Sequence, residues 1–394
     1  KNFKILYSVK AILIANVFYN SPIFVKYIGD GLGKIPRDLI ESATIDGVSG
    51  IKRFFTIDIP LVLPQILRGG LLIFTYCFLS FGIVMSLGGI RFTTLEVKIV
   101  SAFMGGSKFS YGIFYGFVQL LILGFINIPR LMVTEISLSN DRKIGKTNFF
   151  FKLFSLIYLI LEYGIVLSSF VFSFFNYYIG KFSLKYYKLI FSSEFNGEYP
   201  VITSIINSIK ISFVVGLIVI FFSYLLIKNY NKFTEILMFS YIGVSGGFLG
   251  IALYYLNISF NIPIYVIVIV GQIITAIPIG YSFMYQHIKK FPKELLENAE
   301  IDCNNKLEKF IYVEFPNLKN IFLSAFLQVF AIIFGEFTLV YTMQIEDILP
   351  LSSLVNYSMV ANKKYLESAA FTTIIIMIIG ILFIIGEFLK KKEE

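Results

Sequence analysis

The sequence predicts an all-α polytopic transmembrane helical bundle, and three observations carry that prediction. Charged residues make up 15% of the 394 and hydrophobic residues 57%, where a soluble domain carries about 25% charged residues. Mean hydropathy is +0.78. Nine stretches are apolar over the length a helix needs to cross a bilayer, about 20 residues. They are 7–28, 66–88, 111–133, 150–176, 200–228, 233–256, 262–286, 320–344 and 370–389. Runs this long satisfy their own backbone polar groups in lipid only as helices, since barrel strands are about half as long. A water-soluble globular enzyme and any disordered or fibrous class are excluded.

The basic excess, 34 Lys+Arg against 25 Asp+Glu, reads as membrane topology before it reads as nucleic-acid affinity. Segments 29–65, 134–149, 229–232, 287–319 and 390–394, with the adjoining span ends, hold 20 basic residues, and the opposite loops hold 8. The positive-inside bias then places the first set in the cytoplasm of a cell bounded by this membrane. The N-terminus is expected outside and the C-terminus inside. Lys390-Lys391-Lys392 serves as a topogenic anchor, so no nucleic-acid partner is expected.

The chain resembles itself at an offset of 256 residues. Pro22 matches Pro278, Pro36 matches Pro292, Glu41 matches Glu297, Ala43 matches Ala299, Asp46 matches Asp302 and Pro60 matches Pro316, with no gap. The first three spans correspond to the seventh, eighth and ninth. An even number of spans separates the copies, so they run in the same direction, as parallel repeats. Residues 1–148 are expected to form the remaining part of a first repeat with three helices, and 149–394 a second repeat with six. The chain opens on Lys1, and the expectation is a longer protein with roughly three further helices, on the order of 100 residues, upstream.

The largest cytoplasmic insertions are two copies of one segment, 34–60 and 291–316. In each, Pro36 or Pro292 suits the first turn of a helix. Leu39, Ile40, Ala43 and Thr44 make one stripe of a short helix, and Leu295, Leu296, Ala299 and Glu300 occupy the same places. Gly47 permits a reversal that a residue with a Cβ resists. A second helical piece leads through Phe54 and Phe55 to Pro60. A short helix across the cytoplasmic face, exposing small residues, suits docking into another protein's groove.

Glu41-Ser42-Ala43, three residues, Gly47 and later Ile59-Pro60 resemble the EAA loop of binding-protein-dependent ABC importer permeases. The second copy, Glu297-Asn298-Ala299 to Phe315-Pro316, keeps the frame and departs at Cys303, where the family has glycine. Asn304 and Asn305 are next best suited to a left-handed turn there. Further phrases resemble the fused, two-repeat permeases of iron(III) and thiamine importers: Asn16-Val-Phe-Tyr-Asn20-Ser-Pro22, Cys77-Phe-Leu-Ser-Phe-Gly82, Leu87-Gly-Gly89, Thr93-Thr-Leu-Glu96, Gly335-Glu336-Phe337 and Leu349-Pro350-Leu351. The resemblance implies a transport subunit that is not itself an enzyme. Its implied partners are two cytoplasmic ABC ATPase subunits and an extracytoplasmic solute-binding protein. It also implies ATPase-coupling roles for Glu41, Ala43, Asp46, Gly47, Pro60, Glu297, Ala299, Asp302, Cys303 and Pro316, and iron(III) or thiamine as cargo.

No Gly-x-x-x-x-Gly-Lys-[Ser/Thr] occurs, so the chain cannot cradle ATP phosphates itself. Cys77 and Cys303 with one histidine, His287, provide no disulfide framework and no metal cluster, and no cofactor is expected. Glu336 lies in a span, as a pathway or gate group or as a water-facing residue. Glu162 is also within a span. Gly246, Gly247 and Gly250 suit close helix packing. Residues 186–200 form an outer loop. The alternative reading is an ion-gradient-driven carrier with two repeats; it requires membrane-buried ionisable residues in both halves, and the offset partner of Glu336 is Ser80.

Overall fold

A computed structural model describes residues 7–88, 92–105, 109–132, 148–176, 180–229, 231, 245–289 and 291–391. The described chain is helical apart from one two-residue antiparallel pair, so the all-α polytopic bundle is the fold observed. Among the described residues seven helices are long and apolar enough to span a membrane. Two shorter apolar helices, Ser110–Ile126 and Gly246–Phe260, fall at the third and sixth expected spans. Much of the sixth, 232–244, lies outside the described residues. The protein is a multi-pass membrane protein.

The chain forms two compact units, Lys1–Gly164 with Gly243–Ser245, and Ile165–Ile242 with Gly246–Glu394. In the first unit α1 is Val9–Gly33, capped by Ser8, whose side chain accepts from the Ala11 N–H. Pro22 sits inside it, where it withdraws one donor from the helix ladder. Next come α2 (Arg37–Ile45), α3 (Gly50–Arg53), a π-helical turn at Phe54–Asp58, and α4 (Ile59–Phe78). Helix α4 packs on α1. Gly31 makes that approach possible, since a Cβ there would lie 2.8 Å from Val62 Cγ1. Short helices α5 (Gly82–Gly88) and α6 (Leu95–Met104) precede α7 (Phe109–Met132), which packs on α6 and α4. Helix α8 (Phe149–Phe174) begins in this unit and buries only Ser173.

In the second unit Phe175 pairs with Phe182 and Asn176 with Lys181 as strands β1 and β2. Two short helices follow, α9 (Lys185–Ile190) and α10 (Ser193–Glu198). They bury Tyr186, Ile190, Phe195 and Tyr199 against Val355, Met359 and Phe371. The stretch expected as a plain outer loop is therefore a folded cap, because its aromatic residues find an apolar floor. Then come α11 (Val201–Lys228), α12 (Gly246–Phe260), α13 (Ile264–Lys289), α14 (Lys293–Asp302), α15 (Lys306–Lys309), a second π-helical turn at Phe310–Glu314, α16 (Phe315–Phe334), α17 (Thr338–Thr342), α18 (Ser352–Ala361) and α19 (Tyr365–Lys391). The core joins α11, α13, α16 and α17 through Val215, Val219, Val268, Val329 and Leu339. A Cβ on Gly250 would stand 2.5 Å from the Leu339 carbonyl oxygen, so α12 and α17 touch there backbone to backbone.

Two expected spans are corrected. The second was placed at 66–88, but the continuous helical run is Gly50–Phe78 and the chain breaks before α5. The eighth was placed at 320–344, but the run is Lys306–Thr342, with its main helix ending at Phe334. Gln65, Arg68 and Lys319 depress local hydropathy without breaking a helix. Ser80 and Gly335 mark where the helices stop. The element bounds recur at the spacing read from sequence. Helices α3 and α15, the two π-turns, and α4 and α16 coincide residue for residue when shifted by 256.

Candidate functional site

The two EAA-like segments are built alike, one in each unit. Pro36 and Pro292 are extended N-caps, with φ −60° and −59°, and start α2 and α14. Each helix buries one residue deeply. Ala43 is 6% exposed and Ala299 3%, while Ile45 and Ile301 are 86% and 84% exposed. The anticipated four-residue stripe is thus not one inward face: Leu39, Thr44, Leu295 and Glu300 are exposed. Helices this short rest on a single small residue and leave their larger apolar groups outside. Ile51 and Leu307, then Phe55 and Ile311, continue the projecting apolar row.

The turns after these helices differ. Gly47 takes φ +73°. The Val48 N–H donates to the Ala43 carbonyl at 2.8 Å and the Gly47 N–H to Thr44 at 3.1 Å, a Schellman closure. Cys303 instead has φ −105° and ψ 133°, and its N–H donates to the Ala299 carbonyl. The left-handed turn expected at Asn304 or Asn305 is absent, since Asn305 has φ −150°. Asn305 caps α15: its Oδ1 accepts from the Glu308 N–H at 2.8 Å, and Glu308 Oε2 accepts from the Asn304 N–H at 2.9 Å. This is a capping box displaced by one residue. A side-chain cap restarts the helix, so no glycine is needed.

The charged candidates lie on the surface. Glu41 pairs with Arg37 at 2.5 Å, both side chains exposed; such pairs contribute about 0.3–0.5 kcal/mol. Asp46, Glu297, Asp302, Pro60 and Pro316 are exposed, and Cys303 is half-buried. Lys309 donates to Glu300 at 2.8 Å, and that hydrogen bond holds the Glu300 carboxyl below its ordinary range. The small benefit is present above the ordinary carboxylate pKa and fades as pH falls through the lowered one. Glu336 is held apart from these segments. Its carboxylate accepts from the Leu339 N–H at 2.8 Å and the Val340 N–H at 3.4 Å, at the start of α17. Glu162 accepts from Ser21 Oγ at 2.6 Å.

Three buried acids were missed from sequence. Asp58 and Glu314, 5% and 3% exposed, each end a π-turn, 256 residues apart. Asp58 faces Arg53 at 3.5 Å. Glu314 receives the Tyr224 hydroxyl and the Lys228 ammonium, both from α11. An acid at the same offset in both copies, two residues before the repeated proline, was the available signal. The third is Glu96, fully buried in the first unit, which accepts from Gln119 and Ser245 at 2.6 Å each.

Comparison with known proteins gives the class. Residues 3–136 match the family of binding-protein-dependent transport system inner membrane components. The thiamine transport system permease protein ThiP of Haemophilus influenzae is 29% identical over 151 residues, 37% of this chain and 27% of that protein. ThiP of Brucella melitensis is 38% identical over 98 residues, 24% and 18% of the two chains. The putative 2-aminoethylphosphonate transport system permease protein PhnU of Salmonella typhimurium is 24% identical over 131 residues, 33% and 46%. The chain thus matches less than half the length of each of these relatives. The segment 34–60 lies inside the family match and 291–316 outside it.

Proposed function

We propose that the protein is the permease subunit of an ATP-driven importer, receiving a small solute from a binding protein outside and docking one ATPase subunit on each of the segments 34–60 and 291–316. The observation that carries this is the matched build of the two segments: a buried alanine, then an isoleucine more than four-fifths exposed, then a helical return into a spanning helix. Exposed apolar side chains flanked by Glu41, Asp46, Glu297 and Asp302 suit a protein groove better than lipid, because burying carboxylates in hydrocarbon is costly. Nucleotide-driven motion then reaches the spanning helices through the π-turns. Thiamine is the favoured cargo, because several relatives are thiamine transport system permease proteins; iron(III) rests on sequence phrases alone.

An ion-gradient carrier is the rival, and one observation favours it. Glu96 is buried in the first unit, and the half-buried Glu336 of the second is bonded to backbone N–H groups at a break between helices. Reconstitution separates the two. The importer reading expects an ATPase to co-purify and solute uptake to require ATP and a loaded binding protein. Uptake that runs without any ATPase and follows a proton or sodium gradient overturns it.

A further inference from the structure

We infer that Glu314 is a positioning residue that ties the second coupling segment to α11. The inference rests on the ATP-coupled reading above. Glu314 ends the π-turn that joins α15 to α16, so it stands where a push on α14 or α15 enters the spanning helix. It is almost fully buried. Both carboxylate oxygens are engaged by the last turn and a half of α11, Oε2 by the Tyr224 hydroxyl and Oε1 by the Lys228 ammonium. Lys228 also lies 5.7 Å from the Tyr224 ring centre. The ring of Tyr224 packs edge-on to Phe322 of α16 at 5.5 Å and against Phe310 of the π-turn at 5.1 Å. Ile227, Met284, Leu318 and Ile321 close the surroundings.

This arrangement links three pieces: the Tyr224–Glu314 bond lies buried among apolar side chains, where losing a partner is expensive, and Lys228 reaches the same carboxylate from the surface with its side chain 43% exposed. A helix resting on one alanine transmits little sideways force by packing alone. With Glu314 clasped, displacement of the π-turn moves α11 with it, and α11 packs on both α13 and α16. The first segment is wired differently. Its equivalent acid, Asp58, pairs with Arg53 of the segment itself, whereas Lys309, at the Arg53 position, turns outward to Glu300.

The test measures solute moved per ATP hydrolysed in proteoliposomes holding the assembled importer, with Glu314→Gln, Lys228→Met and Tyr224→Phe. ATPase association and basal hydrolysis are expected to persist, because none of the three side chains lies on the projecting row. The transport-to-hydrolysis ratio is expected to fall about fivefold or more for Glu314→Gln, the size of a typical coupling between sites. Combining Glu314→Gln with Lys228→Met should cost no more than the worse single change, since both break one link. If Glu314→Gln fails to assemble, Tyr224→Phe, which removes one hydroxyl, carries the test and must lower the ratio. An unchanged ratio in a well-assembled variant overturns the inference. A wild-type protein whose uptake ignores ATP overturns the importer reading instead.

Discussion

At Gly47 the backbone sits at φ +73°, and its own N–H and that of Val48 close the end of α2. A Cβ meets no atom within 4 Å there, so the cost of Gly47→Ala is purely conformational, roughly 1–2 kcal/mol for a left-handed residue. Local opening of residues 44–50, read by amide exchange, should speed up roughly 5- to 30-fold. Its equivalent, Cys303, is extended, so Cys303→Gly should change exchange much less. Equal effects at the two sites would contradict the geometry. The contrast also shows why the residue rule misled at the second copy. Replacing the family's glycine implied another left-handed residue, but chain reversal has a second solution. An extended residue followed by a side-chain cap serves equally well, and Asn305 with Glu308 supplies it.

Among elements, α15 is the most dependent on its cap. It is a four-residue helix with no buried residue, too short to persist by its own propensity. Asn305→Ala should destabilise it by about 1 kcal/mol, seen as faster amide exchange at 306–309 with the thermal stability of the bundle unchanged. An unaltered exchange rate would show that the π-turn alone orders α15. The start of each segment was legible because Pro36 and Pro292 have one suitable place, and the existence of spans was legible because apolar length forces it. Their ends were not. A hydropathy window penalises Arg68 and Lys319, which a helix tolerates, and passes over Ser80 and Gly335, where α4 and α16 finish. Buried acids were hidden for the same reason. Asp58 and Glu314 look like surface charges until the partners from α3 and α11 are in place.

For the whole molecule, the 256-residue spacing means that each unit carries one complete segment, with the same alanine buried and the same isoleucine projecting. On the importer reading proposed above, function depends on two equivalent dockings, and a defect in one unit should leave the other standing. Ala43 and Ala299 test this, because each is the single buried contact of its helix. An aspartate at either position buries a carboxylate in place of a methyl, a cost of several kcal/mol that the segment avoids by lifting the short helix off the bundle. The spanning helices are anchored by their own cores, Val329 and Leu339 among them in the second unit, and should stay folded. Either single substitution is therefore expected to halve the ATPase retained on purification and abolish ATP-dependent uptake; the double substitution should retain none. Uptake that survives Ala299→Asp at the wild-type rate, in protein that elutes as a single monodisperse species, would mean that the second segment bears no force.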